Sequence, residues 1–315
     1  MKRALIVGIN DYSNSPLYGC VNDANKIEKV LARNQDGSPN FECKKLIAQP
    51  HNITRSVLKQ HVTELFSSEA DTALFYFSGH GFLNNLGGFL VTQDHDKYDE
   101  GVQMENILSL ANESKVREVI IILDCCHSGA LGEVGMIKTD HAVLREGVTV
   151  LTASRAAQVS MEINGTGVFT SLICDALEGG AADVIGNVTI PSIYAYVDQA
   201  LGAWDQRPLI KSHVSRLYPL RKCNPVIPLS ILRLLPNYFP FPEFEFQLDP
   251  SFEPTEEPKN EENEEILSHL QKFRAARLVT PIGEEHMYFA AINSKSCKLT
   301  PLGQFYRKLS VDGKI

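Results

Sequence analysis

The chain has 315 residues, 43% of them hydrophobic, which is enough for a sizeable core and longer than one ordinary domain. Its formal net charge of −8 argues against a protein that coats nucleic acid or an anionic membrane. No apolar run reaches the roughly 20 residues that span a bilayer, and seven cysteines without a CxxC pair speak against a disulfide framework or a structural zinc site. The expectation is a soluble protein of a reducing, cytoplasmic compartment.

The basic pair Lys2-Arg3 is followed by an apolar stretch too short for a signal peptide, and residues 2–9 predict a first strand instead. A loop through Ser15, Pro16 and Leu17 leads to Gly19-Cys20-Val21-Asn22-Asp23-Ala24, where Asn22 or Asp23 is expected to cap a helix with Ala24, Ile27, Val30 and Leu31 inward. A second strand follows near 43–48. Thr54 then caps a second helix whose Val57, Leu58, Val62, Leu65 and Phe66 fall into one stripe.

Thr72-Ala73-Leu74-Phe75-Tyr76-Phe77 predicts a third strand, 87–91 a short hairpin strand, and 93–101 an acidic loop. Met104, Ile107, Leu108 and Ala111 mark a third helix, the crossover to the apolar run Val119-Ile120-Ile121-Ile122-Leu123. A Gly-rich segment, 130–147, separates that run from a fifth strand at 148–153. Helices at 168–177 and 190–204, the second opened by Thr189 and Pro191, precede a last strand at 214–218. This alternation specifies an α/β fold with a mostly parallel sheet covered by helices on both faces.

From 219 to 258 there are nine prolines, and a run of glutamates fills 253–265. The domain organisation expected is therefore 1–220, a Pro/Glu-rich linker at 221–263 whose apolar middle lies against the first domain, and a small module at 264–315. In that module Ile266, Leu267, Leu270, Phe273 and Leu278 predict a helix, and Gly283 and Asn293-Ser294 break two short strands. Thr300-Pro301 opens a final helix with Leu302, Phe305, Tyr306 and Leu309 inward. Helix, hairpin and helix resemble part of a winged-helix unit, an α+β module. In an acidic chain its Lys272, Arg274, Arg277, Lys295, Lys298, Arg307 and Lys308 fit a protein partner better than DNA.

Two strands end in reactive groups. Ser78-Gly79-His80-Gly81 follows one and Asp124-Cys125-Cys126-His127-Ser128-Gly129 the other. If these strands are parallel neighbours, His80 and a cysteine meet at the carboxyl edge of the sheet, the edge where α/β folds bind ligands. A thiol there needs a base, because the thiolate is the nucleophile.

The two motifs, 46 positions apart from His80 to Cys126, resemble the caspase-like cysteine peptidases. Asp124-Cys125-Cys126-His127-Ser128-Gly129 is similar to the D-x-C-H-S-G motif of metacaspases and their bacterial relatives. The resemblance spans about residues 1–220. It implies Cys126 as nucleophile, His80 as base and then acid, and the backbone amides of Gly81 and Cys126 as oxyanion hole; no third triad residue is evident. It further implies that Asp23, Ser78 and Asp124 line the S1 pocket, so cleavage falls after Arg or Lys of a protein or peptide substrate. A short catalytic domain and the family's habits imply a bacterial effector in signalling or defence.

Cys125 reads as a buried hydrophobe and His127 as a residue that shapes the turn. Many metacaspases hold calcium near the segment of Asp94, Asp96, Asp99 and Glu100, but the adjacent Asp-Asp pair of those relatives is missing, so a solvated loop and no metal or cofactor are expected. Lys138 and Arg145 follow the cysteine where relatives are sometimes cut. Two rival readings are a non-catalytic scaffold acting through residues 264–315 and a DNA-binding regulator in which the peptidase fold only senses.

Overall fold

A computed structural model describes residues 1–13, 15–48, 52–84, 87–96, 99–127, 144–153, 162–163, 165–201 and 208–315, with the backbone alone at Asn84, Glu100, Cys126, His127, Glu162 and Ile163. The chain forms two compact units. Met1–Ala182 with Asn187–Cys223 make the first, and Asp183–Gly186 with Asn224–Ile315 the second. Among the described residues no helix is long and apolar enough to cross a membrane.

The first unit begins β1 (Lys2–Gly8), α1 (Cys20–Ala32), β2 (Phe41–Ile47), α2 (Arg55–Phe66), β3 (Thr72–Asn84), β4 (Gly87–Asp96) and β5 (Asp99–Gln103). It continues α3 (Met104–Glu113), β6 (Glu118–His127), β7 (Val148–Thr152), β8 (Glu162–Ile163), β9 (Thr166–Gly167) and α4 (Val168–Asp175), which runs on into a wide helical turn at Ala176–Gly180. The last elements are β10 (Asn187–Val188), α5 (Ile190–Leu201), β11 (Leu209–His213) and β12 (Arg221–Lys222). The main sheet has the order β11-β7-β6-β3-β1-β2, with β4 paired to β3 and β5 to β4. The pairs β1–β2, β1–β3, β3–β6 and β6–β7 are parallel, and β11 closes the edge antiparallel to β7.

Both faces of this sheet are buried, which is why its central strands read as unbroken apolar runs. Leu5, Val7, Phe75, Phe77, Val119, Ile121 and Leu123 point to one side, where they meet Leu58, Val62 and Ile107 of α2 and α3. Ala4, Ile6, Leu74, Tyr76, Ile120 and Ile122 alternate with them and meet Ile27, Leu31, Ile173, Ile193 and Val197 on the other. Each of the fully buried Phe75, Tyr76 and Phe77 side chains contributes on the order of 2 kcal/mol or more.

Several local expectations are corrected. The first helix begins at Cys20 after Gly19, so Asp23 lies inside its first turn and not at its cap. Thr54 does cap α2, accepting from the Val57 amide at 3.3 Å. The acidic loop is largely a β4–β5 hairpin, and the last strand of the sheet is 209–213 and not 214–218.

The second unit contains α6 (Leu229–Leu232), α7 (Leu235–Tyr238), β13 (Glu245–Gln247), a single 3-10 turn (Pro250–Phe252), α8 (Glu261–Ala275), β14 (Val279–Ile282), α9 (Met287–Ile292), β15 (Ser296–Leu299) and α10 (Pro301–Val311). Its antiparallel sheet has the order β13-β15-β14. Residues 221–263, expected as a linker, send Ile227, Leu232, Leu235, Phe239, Leu248 and Phe252 into the same core as Leu267, Leu270, Phe273 and Leu299. The prolines there sit at helix starts and in turns between apolar anchors, so the segment buries surface despite its composition. Between β14 and β15 the chain forms α9 in place of a tight hairpin, because Met287, Ala290 and Ala291 face the core at helical spacing. Leu302 and Phe305, expected inward, are 44% and 55% exposed, while Tyr306 on the same helix is buried.

Candidate active site

The register between β3 and β6 pairs Ser78 with Asp124, Gly79 with Cys125, His80 with Cys126 and Gly81 with His127. The two motifs therefore face each other rung for rung on one parallel ladder, at the carboxyl end of the central strands. Neighbouring strands lie about 4.8 Å apart, so the backbones of His80 and Cys126 are as close as a sheet allows.

His80 is buried and held from several directions. Its ring Nε2 lies 2.7 Å from the carbonyl oxygen of Ser15. A carbonyl only accepts, so Nε2 carries the proton and Nδ1 keeps the lone pair of a base. The Tyr12 ring packs against the imidazole with centroids 4.5 Å apart. Tyr12 Oη accepts from the His80 amide at 3.0 Å and donates to the Val91 carbonyl at 3.2 Å. Burial lowers the pKa of His80 from the usual imidazole value, against the opposing pull of the Ser15 carbonyl, and the nearby His95 lowers it further. His80 is thus neutral at pH 7 and able to accept a proton.

The glycine between Ser78 and His80 has a spatial cause. A Cβ on Gly79 would lie 2.5 Å from Tyr12 Oη and collide with the ring of Phe77. Tyr12→Phe removes both hydroxyl bonds and leaves the His80 amide without that acceptor. It should lower stability by about 1–3 kcal/mol, read as a fall in the denaturant midpoint.

Below the strand ends sits a second cluster. Asp23 on α1 is 2% exposed; its Oδ2 accepts from Ser78 Oγ at 3.1 Å and its Oδ1 from the Gly167 amide at 3.0 Å. Asp124 Oδ2 accepts from Thr170 Oγ1 at 2.6 Å, and Thr170 in turn takes a hydrogen bond from Tyr76 at 2.5 Å. The short β8–β9 hairpin is fastened to α1 beside this cluster, since Asn22 Nδ2 donates to the Gly165 carbonyl at 3.0 Å and Lys26 Nζ to Thr166 Oγ1 at 2.7 Å.

Burial, and then the charge of Asp124, push the Asp23 carboxyl up to about 7. Asp124 itself is pushed up to about 6 by burial, with the Thr170 hydrogen bonds opposing. Two carboxyl groups that resist ionisation side by side form a site that a cation relieves.

The other expected residues are placed as follows. Gly81 registers with Leu90 of β4 as well as with His127. Cys125 is buried in the core under α2 and α3. Asp94 accepts from the Arg55 amide and pairs with the Arg55 guanidinium, which also pairs with Asp99. The acidic stretch is thereby drawn onto the start of α2. Arg145 donates to the carbonyls of Ala111, Val116 and Glu146, so its guanidinium is occupied within the fold. Lys138, Ser128 and Gly129 lie outside the described residues.

A buried parallel sheet with a His motif and a Cys motif on neighbouring strand ends, above a pair of buried acids, has the architecture of a caspase-type domain. The model of the caspase domain matches residues 1–218, and the chain belongs to that family, whose members are cysteine peptidases. Among solved structures, a Geobacter sulfurreducens protein is 15% identical with a TM-score of 0.52, covering 71% of this chain and 97% of its own. Caspase-1 from Spodoptera frugiperda is 16% identical with a TM-score of 0.53, covering 70% and 92%. At these identities the likeness is one of fold. A search of curated proteins finds no match to the sequence.

Four contributors have no counterpart in the sequence reading. They are the Ser15 carbonyl, Tyr12, Thr170 and Gly167. A backbone carbonyl leaves no sequence signal, and the Gly-Val-Phe-Thr segment at 167–170 reads as an ordinary helix start. Its one usable hint is a glycine with no turn to make.

Proposed function

We propose that the chain is a cytoplasmic, metacaspase-like cysteine endopeptidase of bacterial origin that cleaves proteins after arginine or lysine. The observation that carries this reading is the buried pair Asp23 and Asp124, bracketing Ser78, directly beneath the strand ends where His80 and Cys126 share a rung. Such a pair recognises a cationic P1 side chain and rejects an acidic one. An arginine guanidinium offers planar donors suited to two carboxylates at once.

In this reading Cys126 gives its thiol proton to His80 Nδ1 as its sulfur attacks the scissile carbonyl carbon. The carbonyl electron pair moves onto oxygen, where the amides of Gly81 and Cys126 receive it. The tetrahedral species collapses, the C–N bond breaks, and His80 returns the proton to the leaving amine. Water then attacks the thioester, His80 takes its proton, and the acid departs as the thiol is regenerated. The Ser15 carbonyl fills the orienting role for which a carboxylate is the commoner partner, fixing the tautomer that leaves Nδ1 basic. No metal or cofactor takes part in this scheme. The second unit is read as the docking module for a regulatory protein.

The test is a fluorogenic peptide library varied at P1, assayed on the full chain and on Cys126→Ala. Turnover is expected with Arg and Lys at P1, with the variant silent. A preference for Asp at P1 would remove the S1 assignment, and turnover surviving in Cys126→Ala would remove the nucleophile.

A further inference from the structure

Gly167 occupies a position that its backbone does not explain. Its φ of −62° and ψ of 138° lie in the extended region open to every residue. Its amide bond to Asp23 Oδ1 is also one that any non-proline residue makes. What the position lacks is room for a side chain. A Cβ would stand 3.0 Å from Asp124 Oδ2 and 3.3 Å from Asp23 Oδ2. Among the described residues the atoms it would crowd are oxygens of the two carboxylates.

The surroundings hold that gap open. Asp23 is pinned by Ser78 and by the Gly167 amide, and Asp124 by Thr170, which is backed by the fully buried Tyr76. The hairpin carrying Gly167 is itself clamped to α1 by Asn22 and Lys26. Both acids and the hairpin beside them are thus held in place by hydrogen bonds.

We infer that Gly167 is a specificity-determining residue: its missing side chain keeps clear the space between Asp23 and Asp124 into which a P1 guanidinium fits, and Thr170 is the positioning residue that keeps Asp124 facing it. This rests on the reading of the two acids as the P1 pocket and adds a preference within it. A guanidinium is broad, planar and able to bond both carboxylates, so it uses the full gap. An ammonium is a compact charge with three donors and needs less of it. The pocket therefore favours Arg over Lys, and a methyl group at 167 penalises Arg more.

The experiment compares the wild type with Gly167→Ala on matched arginyl and lysyl peptides. The variant is expected to lose about tenfold or more in kcat/KM on arginine, carried by KM, and clearly less on lysine. Its melting temperature should fall by no more than a few degrees, because alanine suits this backbone but its methyl group must push the two held carboxylates back slightly. Cleavage of both peptides at wild-type efficiency would overturn the inference and leave the peptidase reading intact. A second readout needs no turnover. Agmatine, a free guanidinium, should raise the melting temperature of the wild type more than cadaverine, an ammonium of similar length, and the advantage should vanish in Gly167→Ala. Equal stabilisation by the two amines, or none by agmatine, overturns the inference. Stabilisation by agmatine in a chain that cleaves nothing would sustain it and instead defeat the catalytic reading.

Discussion

His80→Ala is expected to lower kcat/KM on an arginyl peptide by about 10²–10⁴-fold, the range for loss of a general acid–base group, with the fold unchanged by circular dichroism. The side chain lies in a compartment held up by Tyr12 and by the rest of β3, so its removal leaves a cavity but no unpaired charge. The informative companion is the pH profile. Because burial holds His80 below the ordinary imidazole pKa, its own protonation should appear only as an acid limb below about pH 6.5. A variant retaining most of its activity would show that the imidazole is not the base, whatever its place beside Cys126.

Asp124→Asn should produce the second large loss, on the order of 10²-fold or more in kcat/KM for arginine, since a cation would then be buried against a single acid. The ionisation of the pair sets a second pH dependence. With Asp23 pushed up to about 7 and Asp124 to about 6, both acids are charged only above neutrality. Affinity for an arginyl substrate should rise with pH between about 6 and 7, and a substrate with citrulline at P1 should lack that rise. Folding responds in the opposite sense. Each folded carboxyl has a pKa raised above its unfolded value, so the folded state holds protons that the unfolded chain has released. Stability is lost as pH rises from about 4 through about 7, and the strain persists above that window. Asp124→Asn should therefore melt a few degrees higher than the wild type at pH 8, with the gap closing toward pH 5. A variant melting lower at every pH would mean that the Thr170 hydrogen bond outweighs the cost of the buried charge.

The fold was legible because its signals are local and repeated. Runs such as 72–77 and 119–123, apolar at every step and ended by glycine, cysteine or aspartate, mark strands buried on both faces, and helical stripes such as Leu58, Val62 and Leu65 mark what covers them. The adjacency of His80 and Cys126 follows from that topology. Asp23 and Ser78 were reached by resemblance, since nothing in their local pattern separates a pocket acid from a helix cap. Thr170 was out of reach because it meets Asp124 from 46 positions away, through a helix whose other inward residues, Phe169 and Ile173, are plain core. The misread segment 221–263 has a physical explanation as well. Prolines and glutamates dominate its count, but burial depends on anchors, and Leu232, Leu235 and Phe239 recur closely enough to form short helices.

The loop at Asp183–Gly186 leaves the first compact unit and returns to it, and while away it belongs to the second: Val184 and Ile185 pack there, and the Val184 carbonyl accepts from the Val226 amide. The tail is consequently not a detachable bead. A fragment starting at Asn224 would be short by two apolar plugs, and one stopping at Cys223 would leave those same plugs without the core they pack into. Proteolysis or a stop codon near 224 would thus be felt on both sides of the cut.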